Sequence, residues 1–127
     1  MENKAIKLSD FTLPKTNNTL VVEGAGGLMV PINEKECIID LIDYLQLPVV
    51  LVVQNYLGAI NHALLSINAL KAKNIEILGI IFNGDNYNDN QEIIVNMTHV
   101  PVLANLKVGT IIDREWIEAQ AKSIQFL

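Results

Sequence analysis

The sequence is poor in cysteine, carries no excess of basic residues and has no long apolar run. Cys37 is the one cysteine among 127 residues. A single thiol excludes an internal disulfide and a cysteine-rich zinc site, and a buried, inert thiol is the expected state. The longest apolar run, Leu47 to Val53, falls far short of the ~20 residues a membrane-spanning helix needs. The opening MENKAIKLSDF is charged and lacks the apolar centre of a secretory signal. Nine basic residues face fourteen acidic ones, a net charge of −5. That balance excludes nonspecific binding to nucleic acid or to an anionic membrane as a main role. These absences describe a soluble, cytoplasmic protein. Half of the residues are hydrophobic and 18% are charged, which excludes disorder for the bulk of the chain. The length fits a single domain, residues 1–127. A chain this long buries roughly two-thirds of its unfolded surface without needing staples.

Residues 1–18 are polar and read as a lead-in. Thr19–Glu23, TLVVE, is short, β-branched and apolar, and it stops at the glycines of EGAGG; this pattern predicts a first strand. The loop GAGGLMVPIN follows. Cys37, Ile38, Leu41, Ile42 and Leu45 recur at helical spacing and predict a helix over about Glu36–Leu45. Pro48 opens PVVLVVQ, an apolar run without alternation, as expected of a strand covered on both faces. A helix from Gly58 to about Lys73 carries a stripe of Ala63, Leu64, Ile67 and Leu70. A strand over Glu76–Asn83, a short helix over Asp89–Met97 and a strand over His99–Leu106 follow, the last limited by Pro101. Thr110-x-x-Asp113 resembles a capping box that starts a final helix burying Ile117, Ala121 and Ile124. Alternating strands and helices predict an α/β fold, a parallel sheet with helices on both faces. In such sheets ligands bind at the carboxyl ends of the strands. Polar residues and glycines gather at those ends: Glu23-Gly24, Gln54-Asn55 and Asn83-Gly84.

Three segments have chemistry to offer. In EGAGG a carboxylate tips an apolar strand, where it suits a hard cation, and the glycines let a ligand approach the backbone. The plainer alternative is a glycine-rich turn beside a solvated acid. The dinucleotide pattern G-x-G-x-x-G does not fit, because the third glycine comes too soon. In LGAINHALL, Gly58 opens a helix whose N-terminus suits an anion such as a carboxylate, with the Asn61 amide as a further donor. His62 reads as an ordinary helix-start residue, and no nucleophile points to a catalytic dyad. In FNGD, the amide of Asn83 has the groups to pair with a purine edge, or it begins an Asn-Gly turn.

Together these segments resemble the dethiobiotin synthetase family. LVVEGAGGLMVPIN resembles its second nucleotide motif, LPVVLVVQNYLGAINHALLSINAL its substrate-binding strand and helix, and LGIIFNG its adenine-reading segment. The similarity runs over about residues 19–106 with the motifs in order. The resemblance implies that Glu23 helps hold Mg²⁺ while Gly24, Ala25 and Gly26 lie against the phosphates of ATP. It implies that Gly27 and Leu28, with Gly58 and Asn61, bind the carboxylate of 7,8-diaminopelargonic acid, Asn61 reaching across a homodimer interface. Asn83 and Gly84 would read adenine. No catalytic side chain is implied. One amine takes up CO₂, ATP phosphorylates the carbamate, and the second amine closes the ureido ring, which calls for positioning and charge neutralisation.

The family has a P-loop fold, with a phosphate loop of Gly-Lys followed by Ser or Thr. None of the seven glycines here precedes a lysine. The family's substrate lysine and second acidic metal ligand are also missing. The chain therefore resembles the carboxyl-terminal portion of a family member, an incomplete P-loop NTPase-like fold with apolar strand edges left open. The alternative to part of an enzyme is a noncatalytic dimerisation or ligand-binding module that has lost the P-loop.

Overall fold

The computed structural model describes residues 5–85, 88–109 and 111–124. The chain divides into two units, Met1–Leu47 and Pro48–Leu127.

The first unit opens with a 3-10 turn, Leu8–Asp10. The strand expected over Thr19–Glu23 does not form. The segment is irregular, with Val21 84% exposed. β-branched residues favour a strand only where a neighbour completes the ladder, and the described residues pair none with this stretch. Helix α1, Ile38–Leu45, lies within its predicted range. Asn33 folds the approach to it: its Oδ1 accepts from the amides of Lys35 and Glu36, each at 2.9 Å. The Cys37 amide then donates to Asp40 Oδ2 at 2.7 Å, satisfying a donor at the helix start. The helix ends on Gln46 in the left-handed region, φ 53°. Cys37 is free and half-buried rather than buried.

The second unit is built on strands β1, Val49–Gln54; β2, Ile77–Asn83; and β3, Val102–Leu106. They form a parallel sheet in the order β1-β2-β3. Helices α2, Ala59–Ala72, and α3, Asn88–Thr98, make the crossovers. The parallel α/β arrangement predicted from the sequence is thus present. An order that advances in one direction puts successive right-handed crossovers on one face, and α2 and α3 pack on each other. Val53, Ile80 and Phe82 meet Ala59, Ala63, Ile67 and Ile94 to form the core. Phe82, Ile67, Leu70, Ile80 and Ile94 are the largest fully buried side chains, each worth about 1.5–3 kcal/mol on burial. The apolar run of β1 does not alternate in sequence but does in exposure. Val53 is buried and Val52 is 60% exposed, because the crossover helices pack on the Val53 side.

Two details close the far end of this unit. Lys71 Nζ donates to the Thr98 carbonyl at 2.9 Å, so a cation from the last turn of α2 meets a carbonyl at the end of α3. His99, next in sequence, takes φ 56° and donates its amide to the Val95 carbonyl at 2.8 Å, which ends the helix. Pro101 precedes β3, and its carbonyl accepts from Ile80 at 2.8 Å. Helix α4, Arg114–Ala121, departs from expectation. Asp113 is itself the cap, accepting from the Trp116 amide at 2.8 Å, while Thr110 lies outside the described residues. Ile117 is 53% exposed and Ala121 is also exposed. The half-buried residues of the helix are instead Trp116 and Gln120, one stripe away from Ile117 and Ala121, while Ile124, just past its end, is half-buried. None of the described helices is long and apolar enough to cross a membrane.

Gly79 fixes how closely β2 meets β3. A Cβ there would lie 2.5 Å from Leu103 Cγ and 2.8 Å from the Pro101 carbonyl oxygen. Gly79→Ala should destabilise the chain by about 1–3 kcal/mol through overpacking, read by urea unfolding. An unchanged midpoint would show that the strands separate freely.

Candidate functional site

The predicted residues fall in both units. In the first, Glu23, Gly24, Ala25, Gly26 and Gly27 form an exposed irregular loop, with Leu28 half-buried after it. The Gly27 amide donates to the Ala25 carbonyl at 3.0 Å across Gly26, whose φ of 81° suits glycine. A Cβ on Gly26 would come within 2.9 Å of Val30 Cγ2. The segment beyond is tied to the start of α1. Ile39 donates to the Leu28 carbonyl at 2.9 Å and Ile38 to the Val30 carbonyl at 3.0 Å. Backbone thus lies bare beside the Glu23 carboxylate. Among the described residues no cluster of three or more His, Cys, Asp or Glu could hold a metal. One exposed carboxylate nevertheless fits Mg²⁺, which keeps several waters and is bound by one or two carboxylates plus substrate phosphates. It does not fit a resident metal held by protein ligands alone.

In the second unit Gly58 and Asn61 start α2. Gly58 caps the helix with φ 102°. The Ala59 amide is satisfied by the Tyr56 carbonyl at 3.0 Å, and the His62 amide by the Gly58 carbonyl at 3.2 Å. The amides of Ile60 and Asn61, between them, have no carbonyl four residues back within the helix. The first turn holds no acidic residue, so no carboxylate of its own offsets its positive end. An open depression here is lined by Leu57, Gly58, Ile60, Asn61, Leu64 and Asn90. It is mostly apolar, with two side-chain amides. The Tyr56 hydroxyl hydrogen-bonds His62 Nδ1. A phenol that donates there leaves the imidazole proton on Nε2. His62 therefore braces the turn that enters the helix, and sequence reading gave it no such partner.

Asn83 and Gly84 end β2. Register places Asn83 level with Gln54 on β1 and with Leu106 on β3. Asn83 is exposed and Gly84 half-buried. Asn55 is 9% exposed and contacts this turn. The sequence pattern placed Asn55 at a ligand-side strand end without a specific part and gave Asn90 no role: one acts on the turn after a neighbouring strand, and the other reaches the depression from α3.

A family model described as "AAA domain" matches residues 1–115. The biotin biosynthesis bifunctional protein BioCD of Bordetella avium is 45% identical over 127 residues, all of this chain and 27% of that protein. The ATP-dependent dethiobiotin synthetase BioD of Lawsonia intracellularis is 46% identical over 104 residues, 82% of this chain and 51% of its own length. The protein of the same name from Christiangramia forsetii is 41% identical over 120 residues, 94% of this chain and 58% of its own length. The chain therefore spans at most about three-fifths of these curated relatives.

Gly58 tests the helix start. A Cβ there meets nothing closer than 3.9 Å, so any penalty is backbone strain alone. Gly58→Ala should cost about 1–2 kcal/mol, measured by thermal unfolding, and Gly58→Asn should cost less because asparagine tolerates that region. Equal losses for the two would place the cost elsewhere.

Proposed function

The chain belongs to the AAA domain family and is a dethiobiotin synthetase-like segment, and on that footing we propose that it supplies the substrate-binding and base-reading parts of an ATP- and Mg²⁺-dependent carboxylation and ring closure of 7,8-diaminopelargonic acid. The observation that carries the reading is the start of α2. Two amides without helical partners, no acidic residue in the first turn and the Asn61 amide lie beside an apolar depression. That combination suits an aliphatic chain ending in a carboxylate. Asn83 is exposed at a strand end, where both groups of its amide can meet the adenine edge. Glu23 would hold the Mg²⁺ of the bound nucleotide beside the bare backbone of Gly24 to Gly26, and that cation would neutralise phosphate charge. Gly27 and Leu28 would contact the substrate.

The reaction needs no protein nucleophile. One substrate amine attacks CO₂ and loses a proton to give a carbamate. A carbamate oxygen takes the terminal phosphoryl group of ATP, and ADP leaves. The second amine then attacks that carbon and expels phosphate, closing the ring. The chain's own part is to hold the carboxylate end and the base, and to offer a carboxylate to the cation of the nucleotide. A homodimer, with Asn61 serving the partner's site, belongs to the same proposal. A second reading, a noncatalytic binding or dimerisation module, is favoured by one feature: no glycine of the chain precedes a lysine, so it carries no Gly-Lys phosphate loop.

Asn61→Asp should weaken binding of diaminopelargonic acid by about 1.5–3 kcal/mol, because a charged hydrogen bond is lost and a like charge faces the substrate carboxylate. Titration calorimetry on both forms measures this, with light scattering giving the mass of the binding species. Equal affinities would remove Asn61 from the site, and binding by a monomer would remove the shared interface.

Without a phosphate loop, ATP binding to these 127 residues should be weaker than about 1 mM, with no dethiobiotin formed. Adding a P-loop segment from the same family should restore turnover, and Glu23→Ala should abolish it. Synthesis by the chain alone would sink the argument from the missing loop. Restored turnover that survives Glu23→Ala would sink the role given to Glu23.

A further inference from the structure

Asn55 holds an anomaly. Its Oδ1 is the buried side-chain oxygen or nitrogen that lacks a hydrogen-bond partner among the described residues, in a side chain 9% exposed. An unpaired buried acceptor weakens a fold, and its presence calls for a reason. The rest of the residue supplies one. The Asn55 amide donates to the Asn83 carbonyl at 2.9 Å. Its Nδ2 donates to the Asp85 carbonyl at 3.1 Å. Asn55 therefore grips the two carbonyls on either side of Gly84. The Gly84 amide donates in turn to the Leu106 carbonyl at 3.0 Å. Gly84 takes φ 112°, and the place where its Cβ would stand is 3.8 Å from Asn55 Cβ. The orientation of the Asn55 amide is forced, because a carbonyl at Asp85 only accepts. Turning the group over would set two oxygens against each other and free neither.

We infer that Asn55 is a positioning residue: it clamps the Asn83-Gly84-Asp85 turn from below and so sets the direction in which the Asn83 amide meets the base. The inference rests on the reading of Asn83 as the base-reading residue. The clamp itself is geometric. Two bonds from one residue and one from the end of β3 hold three consecutive residues, and the unpaired oxygen is the cost of aiming Nδ2 at Asp85.

The test uses the whole chain, isotopically labelled, with adenosine near its solubility limit as probe and cytidine as control. Asn55→Leu keeps the shape and the backbone bond to Asn83, and removes the unpaired oxygen together with the Asp85 half of the clamp. Its melting temperature should be unchanged or higher. Amide exchange at Gly84 should speed up at least tenfold, and the adenosine-induced shift of the Asn83 side-chain amide should fall at least fivefold. Exchange at Ile67, remote from the turn, should not move. Asn55→Asp, which cannot donate to the Asp85 carbonyl, should loosen the turn in the same way and decides the matter if the leucine variant does not fold. Native-like exchange at Gly84 in either folded variant would overturn the clamp. Failure of both variants to fold would also overturn it, by making Asn55 a residue of the fold rather than of the turn. If adenosine leaves Asn83 of the wild type unmoved while Gly84 still loosens in the variants, the base-reading assignment falls and the clamp stands.

Discussion

The pairing of β1 with β2, continuous from Val50 to Gln54, is the constraint on which the second unit depends. Val53 faces Phe82 and Gln54 faces Asn83 across the ladder. A slip of one residue would carry Val53 and Phe82 off the face that α2 and α3 cover. The same register brings Asn55 against the Asn83 carbonyl and sets the loop into α2 beside the end of β2. The buried side of the sheet and the polar ends of its strands are therefore one specification: apolar matching inside fixes which amides meet outside.

Much of this unit was legible in the sequence because its elements carry their own signals. PVVLVVQ and EILGIIFN are apolar runs of strand length that end in polar residues, and the α2 stripe of Ala63, Ile67 and Leu70 has helical spacing. Where the outcome depended on a neighbour, the sequence misled. TLVVE has every local mark of a strand, yet a strand exists only as one member of a pair, and Val21 stays exposed. The start of α4 misled differently. Thr110 and Asp113 have capping-box spacing, but Asp113 itself caps the helix by accepting from Trp116, Thr110 lies outside the described residues, and the half-buried helix positions are Trp116 and Gln120. A spacing rule states what two side chains can do; which one caps depends on where the backbone turns.

The candidate site divides the same way. Gly58, Asn61, Asn83 and Gly84 were legible because strand ends and helix starts are marked by glycine and asparagine. The supports behind them were not. The Tyr56–His62 bond, the approach of Asn90 and the grip of Asn55 are tertiary facts between residues that no periodicity links. The loop of Glu23 to Gly27 could be read as a place where glycines let a ligand approach backbone, but its irregular course could not, since glycines widen what the chain is free to do.

The Lys71–Thr98 bond gives the second unit a mechanical polarity. It joins the tails of α2 and α3 at the end of the sheet opposite the polar strand tips, and the tight seat of Gly79 against Leu103 and Pro101 stiffens the same region. Local opening follows the weakest contacts first. Opening that end of the unit therefore means giving up a charge-assisted hydrogen bond and a close strand contact together.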